Sequence, residues 1–390
     1  MKLAGTFHLT YCSNIHPGET WAEVRAALGA SLPEVRRQLG WTGPFGVGLR
    51  LSAAAAETLE RPDELTAFRR FLADGDYYVF TINGFPYGAF HRARVKEQVY
   101  LPDWRSGARV VYTNRLARIL AALLADRPDI EGSVSTVPGA FKAHVTSDAD
   151  VSAIAAGLLR HAAELVAIRA ATGRTIVLAI EPEPACFIET TADAIAFFRD
   201  RLFNERAALA AGVDVEDVRR HIGVCCDACH MAVEFENPAV AFARLRDAGI
   251  RIGKVQVSSA LHVGHPMGAA ARATLGRFAE DTYLHQAVVD APEGLVRFTD
   301  LPEALAARAA PAGDCRVHFH VPIFLAHLGD LDTTQSYLAT VLDLVTRDRL
   351  SPHLEVETYT WDVLPAEYRS VDMPTAIARE LAWARDRIES

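Results

Sequence analysis

The feature that most constrains this chain is a repeated alternation of short apolar, β-branched runs with longer alanine-rich segments of helical spacing. The runs are TFHLTYC from Thr6, PFGVGLRLS from Pro44, DYYVFTING from Asp76, IEGSVSTVP from Ile130 and RTIVLAIEPEP from Arg174. HIGVCCD from His221, RIGKVQVSSA from Arg251, CRVHFHVPIF from Cys315 and HLEVETYTW from His353 continue the series. Between them lie segments such as WAEVRAALGASLPEVRRQL, NRLARILAALLADRP, AIAAGLLRHAAELVAIRAATG and TTQSYLATVLDLVTRD. Runs this apolar are buried on both faces, and helices set between buried strands imply parallel β/α units. Gly173 and Gly249 stand where a left-handed residue closes a helix before the next strand.

About eight such units fit a closed barrel, so the expected fold is α/β, a (β/α)8 TIM barrel. A doubly wound sheet would carry a glycine-rich phosphate turn after its first strand, which HLTYCSNIHPGE is not. No P-loop, G-x-G-x-x-G or nucleophile elbow occurs. Nine runs is one too many for the barrel, so CRVHFHVPIF is assigned to an inserted loop at the active-site face. Long insertions are expected near 85–113 and 262–300. No linker divides the sequence, so residues 1–390 are expected to form a single TIM-barrel domain.

Charge narrows the partners. The chain of 390 residues has a net charge of −9 and no Lys/Arg-rich run, which argues against nucleic acid. The start, MKLAGTFHLTYCSNIHPGE, lacks the apolar core of a signal peptide, and VSAIAAGLLRHAAELVAIRAA is interrupted by Arg160, His161, Glu164 and Arg169, so no membrane insertion is expected. A cytoplasmic protein follows as the default. Six cysteines, three of them in CCDAC, do not resemble a secreted disulfide framework.

In a β/α barrel the chemistry is built where strands end and loops begin. The strand ends here carry Glu181 and Glu183 in IEPEP, Asp227 and His230 in CDACH, and Gln256 in KVQVSS. His318 and His320 in HFHVP, with Glu355 and Glu357 in EVETYTW, complete the set. Converging on one axis, such groups would repel one another unless a cation or tight hydrogen bonding neutralised them. Each also has a plainer reading. Asp227 suits a helix N-cap, His318 and His320 a hydrogen-bonded core pair, and Glu183 the loop after its strand. The spacing Cys226-x-x-Cys229 has neither a thioredoxin-like context nor a second cysteine pair for zinc, so both thiols read as packing residues.

At these residues the sequence resembles the xylose-isomerase-like TIM barrels, the group of sugar isomerases, sugar epimerases and endonuclease IV. GVCCDACHMA is similar to the group's sixth-strand motif, IEPEP stands at the fifth-strand glutamate and LEVETY at the last-strand glutamate. The resemblance implies Glu181, Asp227 and Glu357 as metal ligands and His230 as a ligand or substrate contact. Gln256 stands where the group usually has histidine. An amide oxygen is a poor zinc ligand, so this departure favours Mn²⁺ or Mg²⁺ while leaving Zn²⁺ open. HFHVPIF resembles the place where endonuclease IV has a further ligand pair, implying a second ion at His318 and His320. HLTYCSNIHPGETW, NGFPYGAFHRARVKEQVYLPDW and QVSSALHV are similar to the Ebo-type metabolite traffic protein branch (EboE). That likeness implies a role in making or moving a secondary-metabolite precursor, and no particular reaction.

What the resemblance implies chemically is a divalent ion chelating two neighbouring substrate oxygens while a glutamate moves the carbon-bound proton between them. Glu181 and Glu357 are the pair placed for acid/base work. Asn83, His91, Trp104, Lys254 and His262 are candidate substrate contacts, with Phe85 and Tyr87 adding aromatic surface to a lid that suits a sugar or cyclitol. Two other classes stay open: a multi-metal phosphoesterase related to endonuclease IV, and a carrier that binds a metabolite without transforming it.

Overall fold

The computed structural model describes residues 1–91, 94–265, 267–307 and 312–390. Residues 92, 93 and 266, inside the two expected insertions, lie outside the described residues. Eight parallel strands form the barrel: β1 (Phe7–Tyr11), β2 (Phe45–Arg50), β3 (Tyr77–Asn83), β4 (Gly132–Thr136), β5 (Ile176–Ile180), β6 (Ile222–Asp227), β7 (Ile252–Val257) and β8 (His353–Val356). From β2 to β7 each strand pairs with the next, and β8 lies between β7 and β1. Every residue of these strands is buried, polar ones such as Ser133, Lys254 and Glu355 included.

The barrel closes through side chains. Between β1 and β2 the backbone makes only the isolated bridge Cys12–Gly48. Thr10 reinforces it: its Oγ1 donates to the Gly46 carbonyl at 2.8 Å and accepts from Gly48 N at 3.0 Å. A side chain at 48 would collide with the Tyr11 carbonyl and the Glu355 carboxylate, so glycine is what allows this approach.

The helices start and stop where the sequence signals them. Thr20 and Glu23 form a capping box ahead of Trp21–Leu39, as do Ser147 and Asp150 ahead of Asp148–Thr172. Gly173 and Gly249 take φ of 70° and 66° at the ends of their helices. Asp148–Thr172 has the length and composition to cross a membrane, yet half of its most apolar stretch is buried. It packs against helices Gly107–Leu123 and Val215–His221 and against β5, the place of a barrel helix.

CRVHFHVPIF does leave the barrel. Its strand, Asp314–Val317, belongs to a six-stranded sheet inserted between β7 and β8, in the order Gly294–Phe298, Ala287–Ala291, Asp314–Val317, Leu261–Val263, Leu331–Thr333, His327–Leu328. This insertion therefore reaches from Leu261 to Thr333, beyond the expected 262–300, because the strand at 314 pairs back onto 261–263 and 287–290. Its placement carries His318 and His320 back over the barrel mouth.

Candidate functional site

Three carboxylates meet at the C-terminal ends of β5, β6 and β8. Glu181 follows β5 directly, Asp227 ends β6 and Glu357 follows β8, and one oxygen of each lies within 4.8 Å of the other two. All three are buried, with Glu357 most exposed at 5%. Desolvation raises the pKa of Glu181 well above the ordinary carboxyl value, and the charges of Glu357 and Asp227 push the same way. Glu357 is raised by desolvation too, then by Asp227 and Glu355.

Two of the three carboxylates commit one oxygen to the protein's own hydrogen bonds. Asp227 Oδ1 accepts from His230 N at 2.9 Å, capping helix Ala228–Val233, and from Ser258 Oγ at 2.8 Å, while Oδ2 has no hydrogen-bond partner. The plainer reading of this residue as an N-cap holds, and the cap leaves Oδ2 unused. Glu357 Oε1 accepts from Asn14 Nδ2 at 2.8 Å and Asn83 Nδ2 at 2.7 Å. Glu181 Oε2 is unpartnered.

The histidines show the same division. His230 Nδ1 donates to the Pro182 carbonyl at 2.9 Å, His318 Nδ1 to Gln286 Oε1 at 2.6 Å and His320 Nδ1 to the Glu357 carbonyl at 2.8 Å. With Nδ1–H fixed by a carbonyl, Nε2 is the lone-pair nitrogen in all three rings. His230 Nε2 and His318 Nε2 face each other at 3.1 Å, and His320 Nε2 is unpartnered, 3.9 Å from Asp227 Oδ2. Burial, then the neighbouring histidines, lowers the pKa of His318 well below its ordinary value; burial brings that of His320 to about 4. Buried lone pairs pointed at one another and at unpartnered carboxylate oxygens are a donor set for a cation.

Two overlapping ligand groups result, Glu181–Asp227–Glu357 and Asp227–His230–His320, with Glu183–His230–His318 above them. Gln256 pairs in register with Asp227 on one side and Glu355 on the other; it is fully buried, and neither its Oε1 nor its Nε2 has a partner. The residues present therefore fit a divalent ion, by chemistry and by unmet bonding capacity. Cys229 Sγ lies within 4.8 Å of His318 and His320 nitrogens, its thiol pKa raised by burial. Cys226 packs in the main core, and all six cysteines are free.

Other expected contacts lie elsewhere. Lys254 sits two residues before Gln256, one layer or roughly 6.6 Å deeper along the strand. Its Nζ is ion-paired with Glu355 Oε2 at 2.5 Å, out of reach of the cavity, and so it is a buried counter-charge rather than a cavity contact. Trp104 is fully buried, its Nε1 donating to Thr136 Oγ1 at 3.2 Å, because the loop there turns into helix Gly107–Leu123. His262 is held in the inserted sheet, 3.3 Å from Asp314 Oδ2. His91 is buried with its Nδ1 4.0 Å from Glu19 Oε1, and Tyr87 packs on Tyr112. Of the expected lid only Asn83 and Phe85 line the cavity.

Sequence reasoning missed Asn14, Tyr100, Gln286 and Tyr359, and set Glu183 aside. Tyr100 donates to Glu183 Oε1 at 2.8 Å, and Gln286 Nε2 donates to the Pro184 carbonyl at 3.0 Å. Glu183 is raised in pKa by its burial. The signal for Glu183 was present, in the doubled IEPEP; the others come from loops with no periodicity to read.

No protein-family model matches the chain, and no curated protein matches it. Among solved structures it is similar to a xylose isomerase-like TIM barrel protein from Mycobacterium smegmatis in complex with magnesium, at a TM-score of 0.53 and 12% identity over 100% of this chain and 99% of that one. At that identity the likeness establishes the fold alone, a TIM barrel. Weaker likenesses include the IOLI protein with a binding zinc atom, at a TM-score of 0.47 and 13% identity over 98% of each chain. A D-tagatose 3-epimerase-like protein follows at 0.40 and 15% over 64% of this chain and 75% of that one.

Proposed function

We propose that the chain works as one barrel domain and is a metal-dependent isomerase or epimerase acting on a sugar- or cyclitol-like metabolite. The observation that carries this is the convergence of Glu181, Asp227 and Glu357 from three strands, with Glu181 Oε2 and Asp227 Oδ2 unpartnered in a buried site. Glu181, Asp227 and Glu357 would hold the ion, with Gln256 beside them, an oxygen-rich set that suits Mn²⁺ or Mg²⁺. A divalent ion there supplies Lewis acidity to two neighbouring substrate oxygens.

The chain's own residues do the rest. Asn14 and Asn83 fix Glu357 through Oε1, leaving Oε2 to take or return a proton. Glu181, raised in pKa, is suited to hold the proton that the other releases. Two carboxyls from different strands allow removal and return on different faces of one carbon. The three phrases resembling the Ebo-type branch support a place in secondary-metabolite precursor formation or traffic.

Glu357→Gln keeps the shape and the two asparagine contacts but removes the base. Hydrogen exchange from a carbon-bound position into D₂O, followed by NMR over a panel of ketoses and inososes, should fall at least 100-fold in the variant, in line with typical general-base effects of about 10²–10⁴. Exchange at wild-type rate in Glu357→Gln would refute the assignment.

A second reading has its own support. His230 Nε2 and His318 Nε2 at 3.1 Å, with His320 beside them, favour a second ion and hence hydrolysis of an ester. Elemental analysis separates the two: one ion per chain favours the isomerase, two or more the hydrolase, and none the carrier.

A further inference from the structure

The space above the carboxylates, about 530 Å³, has a floor and walls of opposite character. At the floor stand Glu181, Glu183 and Glu357. The walls are aromatic and come from the two insertions and from the segment after β8. Phe90, Tyr283 and Tyr359 form one cluster, with ring centres 5.1 Å apart for Phe90–Tyr283, 5.3 Å for Phe90–Tyr359 and 5.1 Å for Tyr283–Tyr359. Phe85 and Tyr100, 5.9 Å apart, line the cavity as well.

The tyrosine hydroxyls are committed to protein partners. Tyr283 donates to the Phe90 carbonyl at 3.0 Å, Tyr100 to Glu183, and Tyr359 reaches His318 Nε2 at 3.4 Å. What these rings offer a ligand is therefore carbon surface.

The one cation lining the cavity, among the described residues, is Lys96. Its Nζ lies 2.6 Å from Asp300 Oδ2 and donates to the Glu280 carbonyl at 3.0 Å, so its charge is already matched. A phosphate is favoured by a bidentate arginine or an unpaired lysine; among the described residues the cavity offers neither, and a phosphate would lie against three glutamates. An uncharged ring or alkyl group would meet aromatic faces that bind it by burial and stacking.

We infer that the substrate's metal-binding end, a vicinal hydroxy-carbonyl or diol, is joined to an uncharged, ring-bearing or otherwise apolar portion, and that no phosphate is present. This rests on the reading of the carboxylate cluster as an ion site, and it narrows the substrate class from any sugar or sugar phosphate to apolar-substituted, unphosphorylated ones.

Three hydroxamates with the same chelating end and different tails test it: acetohydroxamate, benzohydroxamate and phosphonoacetohydroxamate, titrated calorimetrically into the whole protein loaded with Mn²⁺ and again after EDTA treatment. Benzohydroxamate should bind at least tenfold tighter than acetohydroxamate, and phosphonoacetohydroxamate no tighter than acetohydroxamate. Phe85→Ala should reduce the benzohydroxamate advantage over acetohydroxamate at least threefold, with an unchanged thermal midpoint reporting a folded protein. Equal affinity for the three tails, or preference for the phosphonate, overturns the inference. The expected ranking with no response to Mn²⁺ overturns the ion site and leaves the tail preference standing. Absence of binding by every probe overturns both.

Discussion

One barrel interior holds two layers of buried polar groups, and they are built on opposite principles. In the lower layer most groups answer one another: Lys254 pairs with Glu355 Oε2 at 2.5 Å, His353 Nδ1 meets Ser133 Oγ at 2.9 Å, Ser133 Oγ donates to Thr81 Oγ1 at 2.8 Å, and His8 Nδ1 meets Tyr78 OH at 3.0 Å, with Glu355 Oε1 left over. Burial opposes the charge on Lys254, but Glu355 outweighs it and raises the pKa, so the ammonium stays charged. In the upper layer more atoms are left unanswered. Glu181 Oε2, Asp227 Oδ2, Gln256 and His320 Nε2 are buried without partners. A network that satisfies itself specifies a core, whereas one that does not is stable only with something added. The difference separates a layer held by an ion pair from one whose donor atoms could hold a cation, within two residues of the same strand.

The largest effect should come from breaking the lower layer. Lys254→Met leaves Glu355 buried without a counter-charge and should lower unfolding free energy by about 3–5 kcal/mol, read by urea denaturation. Adding Glu355→Gln should recover a large part; no loss from the single variant would mean that Glu355 is not dependent on Lys254.

Next in size is the response of the upper layer to a cation. Mn²⁺ at about 100 times its dissociation constant should stabilise the stripped protein by about 2.7 kcal/mol, seen as a rise in thermal midpoint. Asp227→Asn removes the carboxylate shared by both ligand groups and should abolish the rise. Persistence of the full shift in that variant would place the ion elsewhere.

The smallest effect has the opposite sign from the first. Glu181→Gln should stabilise the metal-free protein by roughly 0.5–2 kcal/mol, because it removes one of three crowded carboxyls. The sign follows from linkage. A carboxyl raised in pKa on folding contributes stability at low pH that is lost as pH rises through the folded value, so the gain from Gln should grow with pH. A destabilisation that does not vary with pH would show that the upper layer is already compensated.

The sequence of strands and helices was readable because burial on both faces and helical spacing are local patterns. Chain order alone also placed Glu181, Asp227 and Glu357 at strand ends, where a barrel builds its chemistry. It did not separate Glu355 from Glu357. Residues two apart on a strand point to the same face and differ only in depth, and depth is fixed by the stagger of neighbouring strands. The same ambiguity put Lys254 among the substrate contacts. Trp104 and His262 were misplaced because an aromatic ring or imidazole in a long loop carries no period that tells lining from packing.

By itself, then, the sequence determined the barrel, the departure of CRVHFHVPIF from it and the polar residues at the strand ends, since each rests on hydrophobic patterning or spacing over a few residues. Only the tertiary structure decided which oxygen of Asp227 caps a helix and which is free, and that three imidazoles turn Nε2 inward. It also decided that aromatic rings from three distant loops close over the floor. Those outcomes depend on contacts between residues as far apart as Asn14 and Glu357, 343 positions along the chain, which no local pattern encodes.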